Sequence, residues 1–170
     1  MISSQAKTPK VQIRSLRSSD RDFIEQMLKK TGFFSAEETT IALELCDTAL
    51  HTPDQKDYYF GIAEIEDKVA GYACFGLRPL TDGSYDLYWI CVDPAFQKAG
   101  VGKILMAWAE DEIRRLGGRL VIAETSGRSQ YHPTRAFYLK LNYKEEARIK
   151  DFYKEGDDMV IYTKHLKKPA

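Results

Sequence analysis

Hydrophobic and polar positions change period several times along the chain. Val11 and Ile13 alternate with polar neighbours and mark a short strand. From Asp20 the period lengthens: Phe23, Ile24, Met27 and Leu28 recur at helical spacing, Ser18 or Ser19 is placed to cap the helix, and Thr31-Gly32 stops it. Ser35, followed by Glu37 and Glu38, opens a second helix carrying Ile41, Leu43, Leu45 and Leu50. The acidic residues suit the positive end of its dipole, and His51-Thr52-Pro53-Asp54 ends it. Three strands follow at Tyr58–Ile65, Val69–Leu77 and Ser84–Val92. Glu66-Asp67-Lys68 makes a tight connection, and Arg78 to Gly83 a turn-rich link. Alternation in the third strand predicts Tyr85, Leu87, Trp89 and Cys91 on one face, and Asp86, Tyr88, Ile90 and Val92 on the other. Val101, Ile104, Leu105, Trp108, Ile113 and Leu116 then mark one face of a helix that Gly117-Gly118 terminates. Arg119–Ala123 has the continuous apolar centre of a buried parallel strand. Thr134–Leu141 is helical, with Pro133 near its start. Lys144–Tyr153 and Met159–Leu166 are strands around the turn Lys154-Glu155-Gly156-Asp157-Asp158.

The resulting order is β-α-α-β-β-β-α-β-α-β-β. A strand–helix–strand crossover in its middle requires parallel pairing, and the strands before it pair antiparallel. The expected fold class is α/β (α+β): a single mixed, mostly antiparallel central sheet of six to seven strands flanked by helices. With 170 residues the chain suits one domain, expected over residues 11–166, with tails at 1–10 and 167–170.

Composition narrows the function classes. The 25 basic and 25 acidic side chains cancel, which argues against a nucleic-acid partner. The polar N-terminus lacks the apolar core of a signal peptide. No apolar run approaches the ~18 residues that a membrane span needs, so a cytoplasmic chain without a membrane partner is expected. Cys46, Cys74 and Cys91 are odd in number and widely spaced, which suits small buried hydrophobes rather than a disulfide framework. His51, His132 and His165 have no metal-ligand spacing, so no metal is expected. Tyr58-Tyr59-Phe60, Tyr85, Tyr88 and Trp89 read as sheet core.

The chemistry concentrates in Gln97-Lys98-Ala99-Gly100-Val101-Gly102, between a strand and a helix. Such a loop turns several backbone N–H groups toward one point and suits a phosphate or pyrophosphate. A Walker A loop is excluded: position 97 is Gln, and Ile104 follows Gly102-Lys103. A dinucleotide fingerprint fits poorly, because Leu105 holds the third glycine position and Gly100 lies eight residues beyond Val92. Gln97-x-x-Gly100-x-Gly102 instead resembles the acyl-CoA-binding motif of the GNAT superfamily of N-acetyltransferases. Thr134-Arg135-Ala136-Phe137-Tyr138, followed by Leu141-Asn142-Tyr143, resembles that family's second signature. The similarity runs from Val11 to Leu166.

The resemblance implies a GNAT-like acyl-CoA N-acyltransferase fold and an acetyl-CoA-dependent N-acetyltransferase. The amine of a small molecule or peptide would attack the thioester directly in a ternary complex. Tyr138 would protonate the departing thiolate, a task for which a neutral phenol is suited. Asp86 matches the family's general base, and its apolar face would favour proton uptake; Glu124 and a water relay compete for the role. Gln97, Lys98, Ala99, Gly100, Val101, Gly102 and Lys103 would bind the pyrophosphate. Backbone groups of Ile90, Cys91 and Val92 would bind the pantetheine arm in a slot completed by Thr125 and Ser126. The resemblance leaves room for a homodimer. Tyr131 replaces a common cofactor-binding Asn, and Asn142 a common Gly in the exit turn. Asp151-Phe152-Tyr153 and Gly156-Asp157-Asp158 are either an acceptor wall or an ordinary acidic hairpin. The alternative function is a non-catalytic acyl-CoA-binding regulatory module of the same fold.

Overall fold

A computed structural model describes residues 10–167. All but the innermost residue of each expected tail lies outside that range. The elements are β1 (Gln12–Arg14), α1 (Asp20–Thr31), α2 (Ala36–His51), β2 (Tyr59–Ile65), β3 (Lys68–Leu77) and β4 (Ser84–Val92). They continue with α3 (Val101–Arg115), β5 (Leu120–Ser126), α4 (His132–Lys140), β6 (Lys144–Lys154) and β7 (Asp157–His165). One seven-stranded sheet has the order β1-β2-β3-β4-β5-β7-β6. Only β4 and β5 pair in parallel; the other neighbours are antiparallel. No helix among the described residues is long and apolar enough to cross a membrane.

Local sequence explains most of the element boundaries. Ser35 and Glu38 form a reciprocal capping box on α2. Gly32 closes α1 at φ 68°. Ser19 stands at the N-cap of α1 but makes no side-chain cap bond. Asp20 at the first helical position instead accepts the Arg17 amide at 2.7 Å, which fixes the turn that enters the helix. The exit turn after α4 keeps its left-handed residue, with Asn142 at φ 65°.

Two apolar layers cover the sheet apart from its edge strand β6, which is exposed along its length. Leu105, Met106, Ala109 and Ile113 of α3 pack with Phe75, Tyr85, Leu87 and Val121 on one face. Ile24, Met27 and Leu28 of α1, with Ala42, Leu43 and Cys46 of α2, cover Phe60, Ile62, Tyr72 and Cys74 on the other. All three cysteines are buried and free, as their spacing suggests.

The alternation predicted for β4 fails at one point. Cys74 of β3 faces Trp89 and Phe75 faces Leu87, so Tyr88 is an extra, bulged residue. The bulge reverses the faces beyond it. Tyr85 and Leu87, then Ile90 and Val92, lie on the α3 side. Tyr88, Trp89 and Cys91 lie on the α1–α2 side.

Candidate active site

The bulge also coincides with the end of a pairing. On its β3 side β4 stays paired to Val92, but its parallel pairing with β5 stops at Leu87–Ala123. On its far side β5 remains paired with β7 through Ser126–Met159. Two ladder edges therefore face each other without pairing: Tyr88–Val92 and Glu124–Ser126. Unpaired strand edges are templates for another extended chain. This slot lies in a cavity of about 900 Å³ whose lining includes Asp86, Ile90, Cys91, Val92, Thr125 and Ser126.

Gln97 also lines the cavity, whereas Lys98, Ala99, Gly100, Val101, Gly102 and Lys103 do not. Those residues build the start of α3. Gly100 is its N-cap at φ 75°, and Lys98 is left-handed at φ 71°. The first-turn amides of α3 have no intrahelical acceptor, and the helix dipole adds positive potential beside them. A side chain at Gly102 would press on the Phe137 ring at 3.2 Å, so α4 packs closely against this turn.

Tyr138 belongs to both core and cavity. It is 4% exposed, with ring centres of Tyr162 and Tyr143 at 5.5 and 5.7 Å, and it lines the cavity. Burial pushes its hydroxyl above the usual phenol range, so it stays protonated at neutral pH.

Asp86 lies in the cavity wall, but not in the apolar setting expected for it. Arg78, from the turn before β4, holds both of its carboxylate oxygens through contacts of 2.8–3.0 Å. The same guanidinium reaches Glu124 Oε1 at 3.1 Å. Arg78 thereby joins the two candidate bases into one ion-paired group across the slot. Sequence reasoning missed it because a turn arginine eight residues away carries no periodic signal. Tyr88 and Trp89, expected in the core, line the cavity, as do Tyr153 and Asp157 of the final hairpin.

Tyr131, which replaces the Asn of the motif, lines the cavity. Its hydroxyl donates to the Phe33 carbonyl at 3.0 Å, tying the β5–α4 connection to the α1–α2 loop. Ser126 and Asp157, expected at the slot and in a candidate acceptor wall, form a group that the sequence did not pair. Ser126 Oγ donates to Asp157 Oδ1 at 2.5 Å, and Arg128 Nε lies 3.0 Å from Asp157 Oδ2. The histidines are exposed, and no group of three or more His, Cys, Asp or Glu among the described residues could hold a metal.

Comparison with known proteins agrees with this geometry. A Desulfovibrio desulfuricans protein described as an acetyltransferase of the GNAT family shares 42% identity. Its crystal structure superposes with a TM-score of 0.89 over 93% of this chain and 100% of that one. A Salmonella typhimurium protein, described as an acetyltransferase and solved with its cofactor acetyl-CoA, has the same fold at 21% identity. Its TM-score is 0.73 over 95% of this chain and 96% of that one. The ribosomal-protein-S18-alanine N-acetyltransferase of Escherichia coli also shares the fold, at 19% identity and TM-score 0.73, over 95% and 97% of the two chains. A search of curated protein sequences finds no match. The profile of the acetyltransferase (GNAT) family matches residues 21–143, well over half of the sequence, and with the slot, the glycine turn and the 42% relative it makes this chain a member of that family of acyltransferases.

Proposed function

We propose that the protein transfers the acetyl group of acetyl-CoA to a primary amine of a small molecule or peptide. The observation that carries this reading is the open slot between β4 and β5, which shares one cavity with Gln97, Tyr138 and Asp86. The slot fits an extended pantetheine arm, because Ile90, Cys91, Val92, Thr125 and Ser126 border it where neither strand pairs with the other. The amides of Gly100 to Lys103 fit a pyrophosphate.

The transfer then needs one bond made and one broken. The amine nitrogen forms its bond to the thioester carbonyl carbon and gives up a proton. The carbon–sulfur bond breaks, and the sulfur takes a proton. Tyr138 supplies the second proton from its buried hydroxyl. Asp86 accepts the first through a water, using lone pairs that Arg78 leaves open. Backbone N–H groups near Cys91-Val92 support the oxyanion. Glu124 is a second candidate for the base, because it is held by one contact to Arg78 where Asp86 is held by three.

The test is calorimetric titration with acetyl-CoA, followed by CoA release against a broad panel of amines. Binding with release supports the reading. Binding without release from any amine favours the non-catalytic module, and no binding at all overturns both.

A further inference from the structure

The guanidinium of Arg128 is held in the cavity wall more firmly than the loop beneath it requires. That loop is already fixed: Arg135 donates to the carbonyls of Ser126 and Arg128 at 2.8 and 2.9 Å, and the Gly127 amide donates to the Asp158 carbonyl at 2.8 Å. Yet Asp157, only 3% exposed, is committed to Arg128, and Ser126 orients that carboxylate from its other oxygen. Burying a carboxylate is costly unless it is paired and hydrogen-bonded, as this one is. The ion pair is closest at Nε, and the terminal nitrogens of Arg128 make no hydrogen bond of ordinary geometry among the described residues, with the Tyr131 side chain close beside them. The Tyr131 ring, centred 5.7 Å away, flanks the guanidinium. A guanidinium anchored at Nε, flanked by an aromatic ring and open at both terminal nitrogens is preorganised for a bidentate carboxylate. Lys154, which lines the same cavity, makes no ion pair among the described residues.

The remaining charges in the wall complete the pattern. Asp86 and Glu124 share Arg78. Glu38 accepts the Ser35 amide at the start of α2, and Glu37 lies beside it. The cavity wall thus holds carboxylates at Asp86 and Glu124 and, apart from Arg78, two cationic side chains: Arg128, paired with Asp157, and Lys154.

We infer that the amine acceptor is an amino acid, with its carboxylate bound by the free fork of Arg128 and supported by Lys154. This rests on the acyltransfer reading for the fate of the amine, but carboxylate recognition is measurable apart from turnover.

The experiment compares phenylalanine, methionine and alanine with phenethylamine, 3-(methylthio)propylamine and ethylamine, the same molecules without the carboxylate. With acetyl-CoA present, at least one amino acid is expected to show a kcat/KM tenfold or more above its decarboxylated partner. In Arg128→Gln that ratio collapses toward one through a raised KM, and Arg128→Lys recovers part of it. Should Arg128→Gln fail to fold, Lys154→Gln at the exposed end of β6 is expected to raise the same KM several-fold. Decarboxylated amines acetylated as well as the amino acids overturn the inference and leave acetyl transfer standing. If neither these acceptors nor any amine of the broad panel releases CoA, the acyltransfer reading falls. Calorimetry of the amino acids in the presence of CoA then decides the carboxylate site by itself: heat lost in Arg128→Gln supports it, and no heat with the unaltered protein overturns it.

Discussion

Two groups of unlike environment face the proposed reaction: a neutral, deeply buried hydroxyl at Tyr138 and an ion-paired carboxylate at Asp86. Burial raises the Tyr138 pKa above the ordinary phenol value of ~10, so the proton is retained as pH rises through the range in which a free tyrosine ionises. The rate is therefore expected to show no fall below about pH 10 that belongs to Tyr138. Tyr138→Phe is expected to lower kcat by ~10²-fold or more with little change in the Kd for acetyl-CoA, read by steady-state kinetics and calorimetry. A variant with unaltered kcat would remove the acid role. Asp86→Asn and Glu124→Gln separate the two bases: the substitution that lowers kcat by the larger factor with an unchanged Kd for acetyl-CoA identifies the residue. Tyr138 was legible because it sits in a recurring motif. The partner that pairs with Asp86 was not, because Arg78 meets it through a hairpin geometry that no local pattern encodes.

At the scale of elements, the chain announced its strands and helices more clearly than its faces. Helix starts and stops carry chemical punctuation, such as the Ser35–Glu38 box and Gly32, so their order could be read directly. A bulge carries none when an aromatic residue occupies it. Tyr88 fits an uninterrupted alternation of β4 as well as it fits the bulge, and only pairing with β3 decides. Leu105 shows the same non-local logic. Its bulk at the tight position of α3 looked incompatible with close packing on a strand, but β3 supplies Gly71 opposite it. A side chain there would come within 3.2 Å of Leu105 and 2.7 Å of the Cys91 carbonyl. The glycine turn is itself a backbone device. Gly100 has φ 75°, and a Cβ there meets no atom within 4 Å, so the cost of a valine is chiefly conformational strain, at least the about 1–2 kcal/mol of a left-handed residue because its side chain is branched. Gly100→Val is expected to stay folded, with a melting temperature lowered by a few degrees, and to bind acetyl-CoA about tenfold more weakly as the first-turn amides shift. Unchanged affinity would detach this turn from the cofactor.

At the scale of the whole molecule, titrating groups buried beneath the α1–α2 layer set the pH range of stability. Asp20 is 1% exposed at the start of α1. Burial alone would raise its pKa, but the bidentate Arg14 guanidinium and the Arg17 amide together hold it below the ordinary value of 3.8. A depressed folded pKa gives stability that is present above 3.8 and lost as the carboxylate protonates on further acidification. The thiols act in the opposite sense. Burial raises Cys46 from 9.0 to about 11 and Cys91 from 9.0 to about 12. Their unfolded forms ionise first, so the stability they contribute is complete below pH 9 and declines as pH rises toward 11–12. Urea midpoints are accordingly expected to hold level between about pH 5 and 8 and to fall on either side. Cys46→Ala would flatten the alkaline fall while lowering the midpoint throughout, because it opens a small cavity in a layer where Cys46 is fully buried. Arg14→Gln isolates the acid arm. It leaves the Asp20 carboxylate buried without its cation and frees Glu64, which Arg14 also binds across β1 and β2. The expected cost at pH 7 is about 3 kcal/mol, at the low end for a broken buried pair because Arg14 keeps some contact with water. As pH drops below 5 that deficit should shrink, since protonation relieves the stranded charge in the variant before it weakens the pair in the parent protein. A deficit that stays constant from pH 7 to pH 3 would mean that Arg14 contributes by packing rather than by charge.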